Sequence, residues 1–304
     1  MNNAIELKNL VKKYETPSGL VKALDDLTLA VPQGGIFGLL GPNGAGKSTT
    51  LEIIVGLRKA SAGTVRIFDR DPQRDSQWIR QRVSLQPQES TIFPQEQVGE
   101  MLSFWSSLYD QPRDVNQVAT WMGLEDLLTR KVAKLSGGQK QRLNVGLALI
   151  GRPKLAILDE PSTGLDVMAR DDLWKVLRLL AEEGTTIVLS THDLDEARVL
   201  CHEVAVIDRG RAVAQGSPEE LIQKYANGTV ISFRVNPDAM PDVLTELRAF
   251  GEPEIEDESM VSIRTDDTDS VIAFLSRRPT VSQFHMNEPS LHDAFIRLTG
   301  HEFE

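Results

Sequence analysis

GGIFGLLGPNGAGKSTTLEIIVG, residues 34–56, decides the fold. It opens with a short apolar run, GGIFGLL, which reads as a buried strand. The run breaks into a glycine-rich loop. From Lys47 the apolar spacing turns helical, and Gly56 is a plausible helix stop. Gly41 to Ser48 matches Gly-x4-Gly-Lys-Ser between a strand and a helix, the context that makes this pattern a P-loop. Gly41, Gly44 and Gly46 let backbone N–H groups point at phosphate oxygens, and the helix N-terminus adds partial positive charge. Lys47 reaches the outer phosphates as a point charge, and Ser48 offers a hydroxyl to a magnesium ion. The loop from Gly41 through Pro42, Asn43, Gly44, Ala45 and Gly46 to Lys47, Ser48 and Thr49 is therefore the expected nucleotide cradle.

Outward from the loop, the first 90 residues read as strands with tight turns. IELKNLVKKYE and ALDDLTLAV alternate apolar and polar residues. The helical spacing of EQVGEMLSFWSSLYD and DVNQVATWMGLEDLL marks a helical segment at about 90–150, continued by a helix from Gln139 to Ile150. KLAILDE, TTIVLSTHD and EVAVIDRG follow as apolar runs separated by helices, the order of a parallel sheet with crossover connections. This is an α/β fold. SPEELIQKY, residues 217–225, reads as a capped helix closing the core. Beyond it TVISFRV, PDVLTELRAFG, MVSIRT, SVIAFLSRR and TVSQFHM alternate strand and helix. The expected division is thus 1–225 and a small α/β domain at 226–304. The charge shifts there too: 15 of the 44 acidic but only 6 of the 33 basic side chains lie from Ala226 onward.

The bulk numbers exclude other classes. A net charge of −11 argues against broad nucleic-acid binding. No apolar run reaches the roughly 18 residues of a membrane span, and MNNAIELKNLVKKYE has no apolar signal region, so a cytosolic location is expected. The single cysteine, Cys201, supports neither an internal disulfide nor a cysteine-rich metal site, and reads as a buried thiol near a helix end.

Further polar residues follow apolar strands. LAILDE ends in Asp159, expected to hold the magnesium, and Glu160, expected to polarise the attacking water as general base. His192, in THD, can reach a γ-phosphate or help align water. Gln88, in SLQPQES, can reach metal or water with its amide. LSGGQ, residues 135–139, looks like a second phosphate cradle, with the Ser136 hydroxyl beside Gly137, Gly138 and Gln139.

The order GPNGAGKST, PQ at 87–88, LSGGQ, LAILDEP, TGLD at 163–166 and then histidine resembles the nucleotide-binding subunit of an ABC transporter over at least residues 5–225. The resemblance implies a RecA-like P-loop core with an antiparallel β subdomain and a helical insertion. It implies ATP and Mg2+ as ligands, and two subunits dimerised head to tail. Ser136 and Gly138 would then contact the γ-phosphate of ATP held by the partner's loop, so that two cradles in one chain serve two nucleotides. Tyr14 fits the aromatic that stacks on adenine, Asp166 a loop along the dimer interface, and Gln88 the loop that couples the site to a membrane permease on a separate chain. The closing EPSLHDAFIRLTGHE is similar to the end of ATPases serving ABC-2 type exporters, the group with daunorubicin-resistance and sodium-export ATPases. Such a subunit would sit peripherally on the cytoplasmic face of the membrane. The same tail segment reads physically as an amphipathic helix burying Leu291, Phe295 and Leu298. A soluble mechanical ATPase of the same superfamily is the alternative, disfavoured because the sequence carries no long coiled coil, zinc module or second ATPase core. A P-loop kinase or GTPase would leave LSGGQ unexplained. The tail has two open roles, strengthening the dimer or regulating the permease.

Overall fold

The computed structural model describes residues 2–17, 19–87, 93–226, 228–255 and 257–300. Gln88 lies outside them. In chain order the first unit contains β1 (Asn3–Thr16), β2 (Gly19–Pro32), β3 (Ile36–Leu40), α1 (Lys47–Ile54), β4 (Ala62–Ile67), α2 (Ser76–Arg80), β5 (Val83–Gln86), α3 (Val98–Ser106), α4 (Val115–Trp121), α5 (Gly137–Leu149), β6 (Leu155–Asp159), α6 (Val167–Glu182), β7 (Thr186–Thr191), α7 (Leu194–Leu200), β8 (Glu203–Asp208) and β9 (Arg211–Gly216). The chain divides into two compact units between Pro218 and Glu219.

The central sheet runs β5-β6-β7-β3-β8-β9. Its first five strands pair in parallel and β9 closes it antiparallel to β8. Every residue of β3, β6 and β7 is buried, as expected of parallel strands covered on both faces, so these strands show up in the sequence as unbroken apolar runs. Parallel strands send their C-terminal ends to one edge, and ligands bind outside that edge. Here the edge gathers the loop after Leu40, the end of β6 at Asp159 and the end of β7 at Thr191.

A second sheet, β2-β1-β4, is antiparallel. Its inward residues Ile5, Leu7, Leu10 and Leu27 share one apolar cluster with Leu51 and Ile54 of α1 and with Phe37, Leu39, Ile157 and Val188 of the central sheet. That shared core holds α1, and with it the P-loop, between the two sheets. Helices α3, α4 and α5 pack together through Met101, Leu102, Val118, Ala119 and Leu143 and form the helical segment. Cys201 is buried at the end of α7, where burial pushes its thiol well above the usual range.

The division falls after the first residue of α8 (Pro218–Tyr225), and the second unit continues as β10 (Thr229–Val235), α9 (Met240–Leu247), β11 (Pro253–Ile255), β12 (Met260–Thr265), α10 (Thr268–Ser276), β13 (Val281–Asn287) and α11 (Leu291–Thr299). From β10 to β13 the order is βαββαβ. The sheet runs β11-β12-β10-β13 with every pair antiparallel, a ferredoxin-like arrangement. Ile231, Phe233, Val235, Val261 and Ile263 of the sheet pack with Val243 and Leu247 of α9 and Val271 and Leu275 of α10. Ser290 caps α11 reciprocally with Asp293, which also pairs with Arg264 of β12 at 3.7 Å. Leu291 and Phe295 are buried, as the helix reading expects, while Leu298 is half-buried. No helix among the described residues is long and apolar enough to cross a membrane.

Candidate active site

The loop between β3 and α1 is shaped by contacts that exclude side chains. A Cβ on Gly41 would lie 2.3 Å from the Ile207 carbonyl oxygen at the end of β8. Gly46, the N-cap of α1, has φ 106°, and a Cβ there would meet Ala23 O at 2.7 Å. The loop is pinned by Ala45 N donating to Pro42 O (3.1 Å) and Gly210 N donating to Ala45 O (2.9 Å). The first amides of α1 have no acceptor within their own helix, the general property that makes such an end an anion site. Gly41→Ala is expected to force the backbone apart and to destabilise the chain by about 1–3 kcal/mol. A melting curve superimposable on wild type would contradict that contact.

Lys47 is buried and donates to Gly41 O at 2.6 Å and Pro42 O at 3.1 Å. Its ammonium thus lies folded against the loop. Burial pushes its pKa below the ordinary lysine value, opposed by the nearby carboxylates of Glu160 and Asp159. Ser48 is exposed and Thr49 half-buried in the first turn.

Asp159 and Glu160 are both buried. Asp159 Oδ1 accepts a hydrogen bond from the Ser190 hydroxyl of β7. Glu160 has φ 51°, an uncommon region for a residue with a long side chain. The turn is held from both neighbours. Glu160 N donates to Ser190 Oγ (3.0 Å) and Ser190 O (3.1 Å). Gln86 Nε2 donates to Asp159 O (3.3 Å), and Gln141 Nε2 of α5 donates to Glu160 O (2.9 Å) and Pro161 O (3.1 Å). The Glu160 carboxylate accepts from Thr163 Oγ1 at 3.1 Å and lies 3.3 Å from His192 Nδ1. The His192 side chain is about half exposed, beside the strand edge rather than inside the core.

The structure therefore brings Lys47, Asp159, Glu160 and His192 together. Ser136 and Gln139 lie at the N-terminus of α5 and bond to each other. There they form a capping box: Ser136 Oγ accepts from Gln139 N (3.2 Å), and Gln139 Oε1 accepts from Ser136 N (3.0 Å). Ser136 and Gly137 are exposed. A Cβ on Gly138 would lie 3.0 Å from Gly164 O, so the start of α5 abuts the TGLD turn. Asp166 caps α6 by accepting from Ala169 N at 2.9 Å. Tyr14 is half-buried, with the Lys12 ammonium 5.0 Å and the Arg58 guanidinium 5.4 Å from its ring centre. Sequence reasoning passed over Ser190, Thr163 and Gln141. Ser190 had a signal, a polar residue inside an apolar strand and directly before THD. Gln141 had none beyond lying in LSGGQKQR.

Residues 24–163 match the ABC transporter family. The chain is 36% identical to Nod factor export ATP-binding protein I of Burkholderia orbicola (strain AU 1054), over 99% of this chain and 98% of that protein. It is 35% identical to the daunorubicin/doxorubicin resistance ATP-binding protein DrrA of Streptomyces peucetius, over 98% of this chain and 93% of that one. Among solved structures it resembles a dimeric ATP-binding cassette in a post-hydrolysis state bound to ADP and Pi, with TM-score 0.65 and 25% identity over 70% of this chain and 98% of the other.

Proposed function

This chain belongs to the ABC transporter ATP-binding proteins and is an ATP-hydrolysing subunit, and we propose that it powers export through a separate ABC-2 type permease at the cytoplasmic face of the membrane. The observation that carries the reading is the cluster of Lys47, Asp159, Glu160 and His192 at one strand edge beside the P-loop. Support for the export assignment comes from the extent of similarity to two ATP-binding proteins named for export and for drug resistance. It runs the full length of the chain and so includes the second unit.

ATP lies with its phosphates on the amides of Gly41 to Thr49 and its adenine against Tyr14. Lys47 leaves the carbonyls of Gly41 and Pro42 for the outer phosphates, gaining a charged acceptor for two neutral ones. Glu160, whose carboxylate is oriented by Thr163, takes a proton from the attacking water. His192, beside it, aligns the γ-phosphate. The donor set fits a hard cation, because the Asp159 carboxylate and the Ser48 hydroxyl would supply oxygen ligands and magnesium needs only one or two from protein. Held by those residues, the ion would supply positive charge against the phosphates. The role of Gln88 rests on its place in the sequence.

Two copies dimerise head to tail, with Ser136 and Gly138 on the partner's ATP. The second unit, placed at 226–304 from the sequence, strengthens that dimer or regulates the permease. A chain stopped after Tyr225 that dimerises normally with ATP assigns it to regulation. Affinity capture of tagged Glu160→Gln from detergent-solubilised source membranes is expected to bring down a polytopic membrane protein. Recovery of soluble partners alone, with wild-type ATPase intact, would move the soluble mechanical reading ahead.

A further inference from the structure

Three consecutive carbonyls leave β6, those of Asp159, Glu160 and Pro161, and each accepts from a glutamine side chain. The first is taken by Gln86 from the neighbouring strand. The other two are taken by one amide, Gln141, from α5. Between them sits Glu160 at φ 51°, a strained backbone state that persists only where the surroundings enforce it.

Gln141 belongs to the same helix as the exposed cap at Ser136. Five residues of α-helix rise about 7.5 Å, less than two turns, so the two positions move as one body. A second contact runs the same way. Gly138 abuts Gly164 O in the turn whose Thr163 hydroxyl holds the Glu160 carboxylate. A displacement at the start of α5 is therefore delivered to Glu160 twice, at its carbonyl and at its side chain.

We propose that Gln141 is a positioning residue that couples the two nucleotide sites: it converts contact of Ser136 with the nucleotide on the partner chain into the orientation of Glu160 in its own site. This rests on the head-to-tail dimer argued above. The bond of Gln141 to Glu160 O fixes the peptide that follows the carboxylate. When the N-terminus of α5 is drawn onto a partner nucleotide, that peptide turns with it. When it is released, Glu160 relaxes away from the positive φ and from the attacking water. Each site is then primed by occupancy of the other.

The test uses the full chain with Gln141→Met and Gln141→Glu, both near the size of glutamine and lacking the donor, and Gln141→Arg, which keeps one. Equilibrium ATP titration and the rate of phosphate release against ATP concentration are measured for each. Expected are a cooperative wild type and, in the Met and Glu variants, unchanged affinity for the first nucleotide, a kcat about 10- to 100-fold lower and loss of that cooperativity. Gln141→Arg recovers most of the rate and the cooperativity. Wild-type kcat and Hill coefficient in Gln141→Met overturn the proposal. So does a wild type without cooperativity. A loss shared by all three variants, in step with a lowered melting temperature and with the Hill coefficient retained, assigns Gln141 to structure alone and overturns it too. Failure of Glu160→Gln to form an ATP-dependent dimer would remove the dimer reading and this inference together. A normal dimer with unaltered Gln141→Met kinetics removes only the inference.

Discussion

Glu160→Gln is expected to bind ATP and dimerise, yet to turn over about 10²- to 10⁴-fold more slowly than wild type. The substitution keeps shape. An amide oxygen still accepts from Thr163 Oγ1, which lies 3.1 Å from the carboxylate, and the backbone bonds to Ser190 and Gln141 do not involve the side chain. What disappears, on the proposed mechanism, is the capacity to take a proton from water. On the proposed mechanism binding uses other groups, the loop amides and Lys47, so the ATP-bound dimer is expected to accumulate instead of passing to products. Phosphate release and size-exclusion chromatography with ATP report the two halves separately. Normal steady-state turnover would remove Glu160 from the role of base.

Lys47→Ala is expected to weaken ATP binding by about 10- to 100-fold, the loss of a hydrogen bond to a charged group worth ~1.5–3 kcal/mol. In the free chain the ammonium is satisfied by Gly41 O and Pro42 O and lies near Glu160 and Asp159. Alanine removes the cation that balances those two carboxylates, so incoming phosphates meet negative charge without a counter-charge. Repulsion then adds to the lost bond, and the effect is expected to be larger at low salt. Calorimetric titration with ATP checks this, and an unchanged Kd would count against it.

The strands that build the site were legible because of how they are buried. β3, β6 and β7 are covered on both faces and read as apolar runs, each ending at the polar residues of the edge. The strands β9 and β11 carry no such signal. β9 alternates half-buried with exposed residues at the sheet margin, and β11 is three residues beginning with proline. The second unit was readable as alternating strand and helix. Its βαββαβ pairing was not, because strand order depends on contacts between segments distant in the chain. In the site, the loop and the carboxylates follow from local pattern. The Gln141 bond joins residues 19 and 20 positions apart through a helix and a strand, and no local pattern announces it.

The left-handed backbone at Glu160 gives the site an evolutionary gradient. Asparagine or glycine tolerates that conformation far better than glutamate, so either replacement is expected to stabilise the fold at the cost of the proton acceptor. A lineage that needed only nucleotide-driven association, without turnover, would drift down that slope. On the proposed mechanism, a glutamate held there against its own conformational preference is what lets the protein finish the cycle as well as begin it.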